Sequence, residues 1–308
     1  MVPAQAGGRW AELGERGALW GMHCVNLAWR LLGRRACAML LAPIVTWFWL
    51  TDPSRRRASL DWLRRAHAFA GLPPPRWWHG LQHWLGFAQK AMDSVAVLRS
   101  PNAVGPMLIE DPDDLHGLAA SGQGGMILVS HLGNADMARA ALSGRFSAAM
   151  TVLMHTRNAA NYNRMLDKLH GDPNSRTLEV TQLDPATAID LQQRLARGEW
   201  LAMAADRTPV SREGRQVRVP FLGAPAAFPV GPWVIAALLR CPVFVMFCLR
   251  RPEGGYHIRF ERFAEVVTLP RSGRETAIAD YAARYACILQ AEATRAPMQW
   301  YNFYDFWA

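Results

Sequence analysis

Cysteine is scarce and without pattern. The five in 308 residues (Cys24, Cys37, Cys241, Cys248 and Cys287) show neither paired nor metal-like spacing. That excludes a disulfide framework and a cysteine-based zinc site, and the apolar neighbours point to reduced core thiols in a cytosol-facing protein. No secretory signal is expected, because the first residues are Gly/Ala-rich and the long apolar run comes later than a signal's would. That run, Ala36 to Leu50, is 15 residues without a charge, short of the roughly 20 that span a bilayer. No G-x-S-x-G elbow is present, and no recognised nucleic-acid module accompanies the basic charge, so nucleic acid is not an expected partner. His79 and His83 lie i, i+4 with neither a Glu nor a third His beside them, so surface or packing histidines are expected and no metal is.

Acidic residues are scarce in one part of the chain only. Residues 1–100 hold 13 basic and 5 acidic side chains and residues 101–308 hold 21 and 20, so most of the +9 net charge lies in the first hundred residues. Nine of the 13 Trp are there too. Arginine and tryptophan beside apolar sequence suit a membrane interface, where guanidinium meets anionic headgroups and indole sits at the boundary. Ala36 to Leu50, with Arg34-Arg35 before it and Arg55 to Arg57 after it, is expected to dip into or lie on a bilayer, kinked at Pro43. The alternative is a buried core helix. Helices are expected over Ala58 to Ala70, with Leu60, Leu63 and Phe69 on one face, and over Arg76 to Arg99. These features divide the chain into a basic, Trp-rich helical membrane-associating region (1–100) and an α/β domain (101–308).

From Gly105 strand-like and helix-like stretches alternate. Strands are expected at Met126 to Val129, Ser147 to His155, Thr177 to Val180, Gly198 to Arg207, Gln216 to Phe221, Pro242 to Arg250 and His257 to Phe263. Helices are expected at Asp113 to Ala120, Asp184 to Arg197, Pro232 to Arg240 and Ala277 to Thr294, with another after Asn158 through Leu169. Residues 223–231 read as a loop. The fold class is α/β, a mostly parallel central sheet flanked by helices. His131, Arg157, Asp206 and Arg207 fall at successive strand ends and converge at one carboxyl edge.

The centre of the domain is Val129-Ser-His-Leu-Gly-Asn-Ala-Asp136. His131 falls in the turn after a strand, Asn134 is a helix N-cap candidate, and Asp136 sits in the first helical turn. That spacing lets His131 and Asp136 meet, and a His held by a carboxylate suits a general base. A buried His satisfied by a local Asp, or an Asp that merely caps the helix, fits the spacing equally well. Ser130 invites a serine-nucleophile reading, but adjacent residues in a strand point to opposite faces.

Four blocks and the C-terminal tail, in order, resemble the bacterial lipid A biosynthesis acyltransferases, the lauroyl/myristoyl transferases within the wider glycerolipid and lysophospholipid acyltransferases. His131-Leu-Gly-Asn-Ala-Asp136 is similar to that family's His-x4-Asp/Glu motif. His155-Thr-Arg157-Asn158 with Asn161 resembles its Arg/Asn block, and Asp206-Arg207 stands at its acidic strand end. Val217-Arg-Val-Pro-Phe221-Leu-Gly223-Ala-Pro225 resembles its Val-x-Val-Pro-Phe-Phe-Gly-x-Pro block, and Gln299-Trp300-Tyr-Asn-Phe its terminus. One departure is Asp136 behind Ala135, where many lipid A members have Trp-Glu. The resemblance implies transfer of a fatty acyl group from a thioester of acyl carrier protein or coenzyme A to a lipid hydroxyl, without a resident cofactor. It implies His131 as base and Asp136 as its partner. Gly133, Asn134, Arg157, Asn158, Asn161, Asp206, Arg207, Phe221 and Gly223 are then expected to bind substrate, with Arg157 on an oxyanion or an acceptor phosphate. The expected location is the cytoplasmic face of a bacterial inner membrane. A non-catalytic lipid-binding protein and a soluble hydrolase are the alternatives. The dyad requires His131 and Asp136 within hydrogen-bond reach beside an apolar groove.

Overall fold

The computed structural model describes residues 36–97, 101–137, 148–154, 175–179, 185–208 and 216–308. Helix α1 (Ala36–Thr51) runs unbroken through Pro43. The break comes instead at Asp52-Pro53, where Asp52 caps α2 (Pro53–Phe69) by accepting the Arg55 backbone N–H at 3.1 Å. Proline at the first helical position suits a new helix and cannot continue the old one. The two helices meet at 96°. Among the described residues no single helix is long and apolar enough to cross a membrane, although the bent α1–α2 pair passes by length and composition. Met39, Leu40, Ile44, Trp47 and Leu50 of α1 are exposed. In α2 the buried face is Ser59, Trp62, Leu63 and Ala66, and Phe69, expected on that face, is exposed. Helix α3 (Trp77–Val97) follows and packs on α2.

A seven-stranded sheet forms the body, in the order β1-β9-β8-β2-β5-β3-β4. Its strands are β1 (Met107–Glu110), β2 (Gly125–Val129), β3 (Met150–Met154), β4 (Ser175–Glu179), β5 (Trp200–Ala204), β8 (Val243–Arg250) and β9 (Tyr256–Ala264). Every neighbouring pair is parallel except β8 and β9. Helices α4 (Leu115–Ala120), α5 (Pro185–Ala196), α6 (Gly231–Leu239) and α7 (Arg274–Arg295) complete the described α/β pattern. The central strands are apolar throughout because both sheet faces are covered. Met126 and Leu128 of β2 and Val243 and Val245 of β8 enter one core, while Ile127, Phe244 and Met246 enter the other.

Two elements depart from expectation. Strand β1 was not foreseen; it is an edge strand of four half-exposed residues, too short for a periodic signal. Residues 223–231, expected as a loop, hold β7 (Ala224–Pro229), which pairs with β6 (Gln216–Phe221) in an antiparallel ribbon apart from the main sheet. Pro220 faces Pro225 there. A two-stranded ribbon has an open edge on each strand and so accommodates prolines that a central strand excludes.

Candidate active site

Strands β2 and β5 are parallel neighbours, with Val129 opposite Ala204. His131 and Asp206 each lie two residues past those partners, so equal offsets bring them side by side at the carboxyl edge of the sheet. Asp206 is fully buried. Its Oδ1 meets His131 Nδ1 at 2.8 Å, and its Oδ2 accepts the His131 backbone N–H at 2.7 Å and Trp300 Nε1–H at 3.1 Å. Burial by itself would raise the Asp206 pKa, but His131 and Arg207 outweigh it and pull the carboxyl down to about 2. An ionised carboxylate only accepts, so His131 Nδ1 carries the proton and donates it. The lone pair is then on Nε2. Burial, and next the Arg207 charge, lower the His131 pKa, which keeps the ring neutral near pH 7. The His131 side chain is nevertheless 37% exposed. Oriented, neutral and accessible, this imidazole meets the demands on a general base.

The expected contact between His131 and Asp136 is not formed. Asn134 Oδ1 accepts the Met137 N–H at 3.2 Å and starts a helix, whose first turn carries Asp136 towards α3. There Asp136 Oδ2 meets Lys90 Nζ at 2.9 Å and Ser94 Oγ at 3.4 Å. His131, still in the extension of β2, faces β5. The carboxylate on the imidazole is Asp206, which sequence reasoning had assigned to substrate rather than to the base.

The turn between them is fastened from three sides. Gly133 N–H donates to the Gln299 carbonyl and Asn134 N–H to the Cys248 carbonyl, both at 2.8 Å. Leu132 N–H donates to Ser130 Oγ at 3.2 Å, which engages that buried hydroxyl. With His131 N–H on Asp206, every backbone donor from His131 to Asn134 is taken, so these amides are not a ready oxyanion hole. Gly133 has φ +72°, and a Cβ on it would lie 2.0 Å from the Cys248 carbonyl oxygen. The buried Asn134 amide also accepts from Ser94 Oγ at 3.0 Å and donates to the Lys90 carbonyl at 3.2 Å. Gly133 and Asn134 thus shape the turn.

The C-terminal tail closes the site from behind. Trp300 is buried and edge-packed on Trp62, Phe221 and Phe306. Arg207 is half-buried, donates Nη2–H to the Tyr301 carbonyl at 2.7 Å and lies 5.6 Å from the Tyr304 ring centroid. His83 is buried as well, its ring bridging Ser59 Oγ at 2.8 Å and the Trp300 carbonyl at 3.0 Å, and burial lowers its pKa to about 4. It is a packing histidine under the tail. Phe221 is fully buried among Phe228, Trp300 and Phe306, and it packs on Trp300, whose Nε1–H donates to Asp206. Gly223 is at the exposed hairpin tip, where its φ of +77° follows Leu222 at +51°. Arg157, Asn158 and Asn161 lie outside the described residues.

Sequence reasoning missed Lys90 and Trp300 as parts of this site. Neither has a local signal, since Lys90 is 46 residues from Asp136 and Trp300 is 94 from Asp206. Beside the turn is a cavity of about 350 Å³ bordered by Lys90, Gly133, Asn134, Arg250, Arg251 and Tyr301.

No curated protein matches the chain. Residues 89–308, more than two-thirds of it, match the family model for the bacterial lipid A biosynthesis acyltransferase. That span holds Lys90, the His131 turn, Asp206 and the Trp300 tail, and the chain belongs to the bacterial lipid A biosynthesis acyltransferase family.

Proposed function

We propose that the protein moves a fatty acyl group from a thioester of acyl carrier protein or coenzyme A to a hydroxyl of a membrane lipid or glycolipid. His131 is the general base. Its Nε2 takes the proton of the acceptor hydroxyl as that oxygen attacks the thioester carbonyl carbon. The C–S bond then breaks, and the leaving thiolate takes the proton back from Nε2. No acyl-enzyme forms, so no nucleophilic serine is required. Asp206 is the positioning residue, fixing the tautomer and balancing the imidazolium charge of a base whose proton transfer is worth about 10²–10⁴-fold in rate. The observation that carries this reading is the 2.8 Å contact between a buried, ionised Asp206 and an accessible His131 ring.

Asp136 acts at one remove, by holding Lys90 at the edge of the turn. Arg157 is proposed to meet the oxyanion or an acceptor phosphate, for which guanidinium geometry is suited. The apolar, exposed α1 and the arginines that follow it support a site working at an anionic membrane surface, for which a bacterial inner membrane is proposed.

The test compares lipid profiles of cells lacking the protein and cells supplied with wild type or His131→Ala. An acylated lipid should appear with wild type and be absent with His131→Ala. Undiminished acylation by His131→Ala would refute the assignment of the base.

A further inference from the structure

The cavity beside the His131 turn carries a charge pattern that the base chemistry does not use. Lys90, Arg250 and Arg251 border it, and none of its lining residues is an Asp or Glu. Two of the three cations already have acidic partners, Lys90 with Asp136 and Arg251 with Glu253. Arg250 has none among the described residues. Its side chain makes one hydrogen bond there, from Nη1 to the neutral Gln89 Oε1, leaving most of its five N–H donors uncommitted. Its backbone is fixed from both sides: its N–H donates to Gln299 Oε1 at 2.8 Å and its carbonyl accepts Gln299 Nε2–H at 2.9 Å. Burial pushes the Tyr301 phenol up to about 12, so it stays protonated and able to donate. A half-buried cation held in register beside further donors favours an anion, and a planar guanidinium suits a two-oxygen contact.

The floor of the cavity is the turn itself, since Gly133 and Asn134 line it and Tyr301 N–H donates to the His131 carbonyl at 3.3 Å. An anion held here lies against the turn that carries His131. At about 350 Å³ the space exceeds what one small ion fills, so the anion belongs to a larger molecule.

We propose that this cavity binds a phosphate ester of a substrate, with Arg250 as its principal contact and Lys90 and Arg251 in support. The assignment rests on the acyl-transfer reading only in calling the molecule a substrate. Two substrates of that reaction carry such a group: the donor, in its phosphopantetheine arm, and an acceptor lipid, in its headgroup.

The test is binding to the full-length protein of two matched pairs of probes. One pair is 4′-phosphopantetheine and pantetheine; the other is dihexanoyl phosphatidic acid and dihexanoylglycerol. In at least one pair the phosphorylated probe should bind about tenfold tighter or more, the value of a charge-assisted contact. Arg250→Gln should reduce that preference to within about twofold. A preference in the first pair assigns the cavity to the donor, and in the second to the acceptor. Arg251→Gln, on the exposed rim, should weaken the preference more mildly and covers the case in which Arg250→Gln does not fold. Equal binding within both pairs, or an undiminished preference in folded Arg250→Gln, overturns the proposal. Binding needs no turnover, so His131→Ala should keep the phosphate preference. If His131→Ala still acylates, the base assignment falls while the cavity result stands.

Discussion

Asp206→Asn separates the two carboxylates that compete for the role of partner to the base. The structure predicts which way the new amide turns. Asp206 Oδ2 takes two donors, the His131 backbone N–H and Trp300 Nε1–H, while Oδ1 takes only His131 Nδ1–H. The asparagine oxygen therefore occupies the Oδ2 position, which keeps two hydrogen bonds. Its NH₂ then faces His131 Nδ1. Two donors cannot share a hydrogen, so the ring shifts its proton to Nε2 and Nδ1 becomes the acceptor. The fold is retained and the base is lost. A wrong tautomer in the serine-protease triad costs about 10⁴ in rate, and the general range for a lost base is about 10²–10⁴, or roughly 3–5 kcal/mol of barrier. The expectation here is a fall of at least 10²-fold in kcat with KM little changed.

The assay is single-turnover release of thiol from an acyl thioester in the presence of a lipid extract, with the melting temperature followed alongside. Asp136→Asn is the matched control. It removes the charge opposite Lys90 and leaves the imidazole hydrogen bonds in place, so its loss should be at least tenfold smaller. If Asp136→Asn abolishes release while Asp206→Asn retains it, Asp206 is not the positioning carboxylate and the tautomer argument fails.

Two further outcomes follow from the same geometry. Gly133→Ala combines a positive φ with a Cβ 2.0 Å from the Cys248 carbonyl. The left-handed conformation costs about 1–2 kcal/mol and the overpacking about 1–3 kcal/mol; since the carbonyl cannot move without losing the Asn134 N–H, melting temperature and activity should both drop. Gly223→Ala, at φ +77° with nothing within 4 Å of its Cβ, should keep activity and lose only the backbone part of that stability; equal losses in the two variants would contradict the turn's role. His83 makes stability pH-dependent: it is neutral in the folded protein down to about pH 4, whereas an unfolded histidine takes a proton below about 6.5. The unfolded state thus binds more protons in that window, and stability declines as pH falls from 6.5 towards 4, by roughly 3 kcal/mol at full extent. His83→Gln should flatten that part of the melting-temperature profile, and an unchanged slope would exclude His83 as its source.

Much of the fold was legible in the sequence because both sheet faces are covered. Runs such as Met126 to Val129 and Val243 to Phe247 are apolar for that reason, and the flanking helices carry their own start and stop signals. Strand β6 was legible from its alternation, but its partner β7 was not, since Pro225 and Pro229 argue against a ladder everywhere except in such an edge pair. At the site, Asn134 as a cap and His131 at a strand end could be read from local chemistry. The partner of His131 could not. Neighbours in a parallel sheet are set by crossovers, so β2 lies between β8 and β5 and its terminal His meets a residue 75 positions away. The available clue was the equal two-residue overhang of His131 and Asp206 beyond apolar strands, which a five-residue spacing to Asp136 obscured.

This geometry changes what the Asp at position 136 means. Were it the partner of His131, exchanging Asp for the Glu of many lipid A enzymes would alter the reach of the base. Here its carboxylate reaches Lys90 at 2.9 Å, and Lys90 borders the basic cavity. One methylene more or less then moves the lysine that borders this cavity, while the imidazole keeps its hydrogen bond to Asp206. Under the proposed function, the departure from the family pattern would bear on which molecule is bound beside the turn rather than on how a hydroxyl is deprotonated.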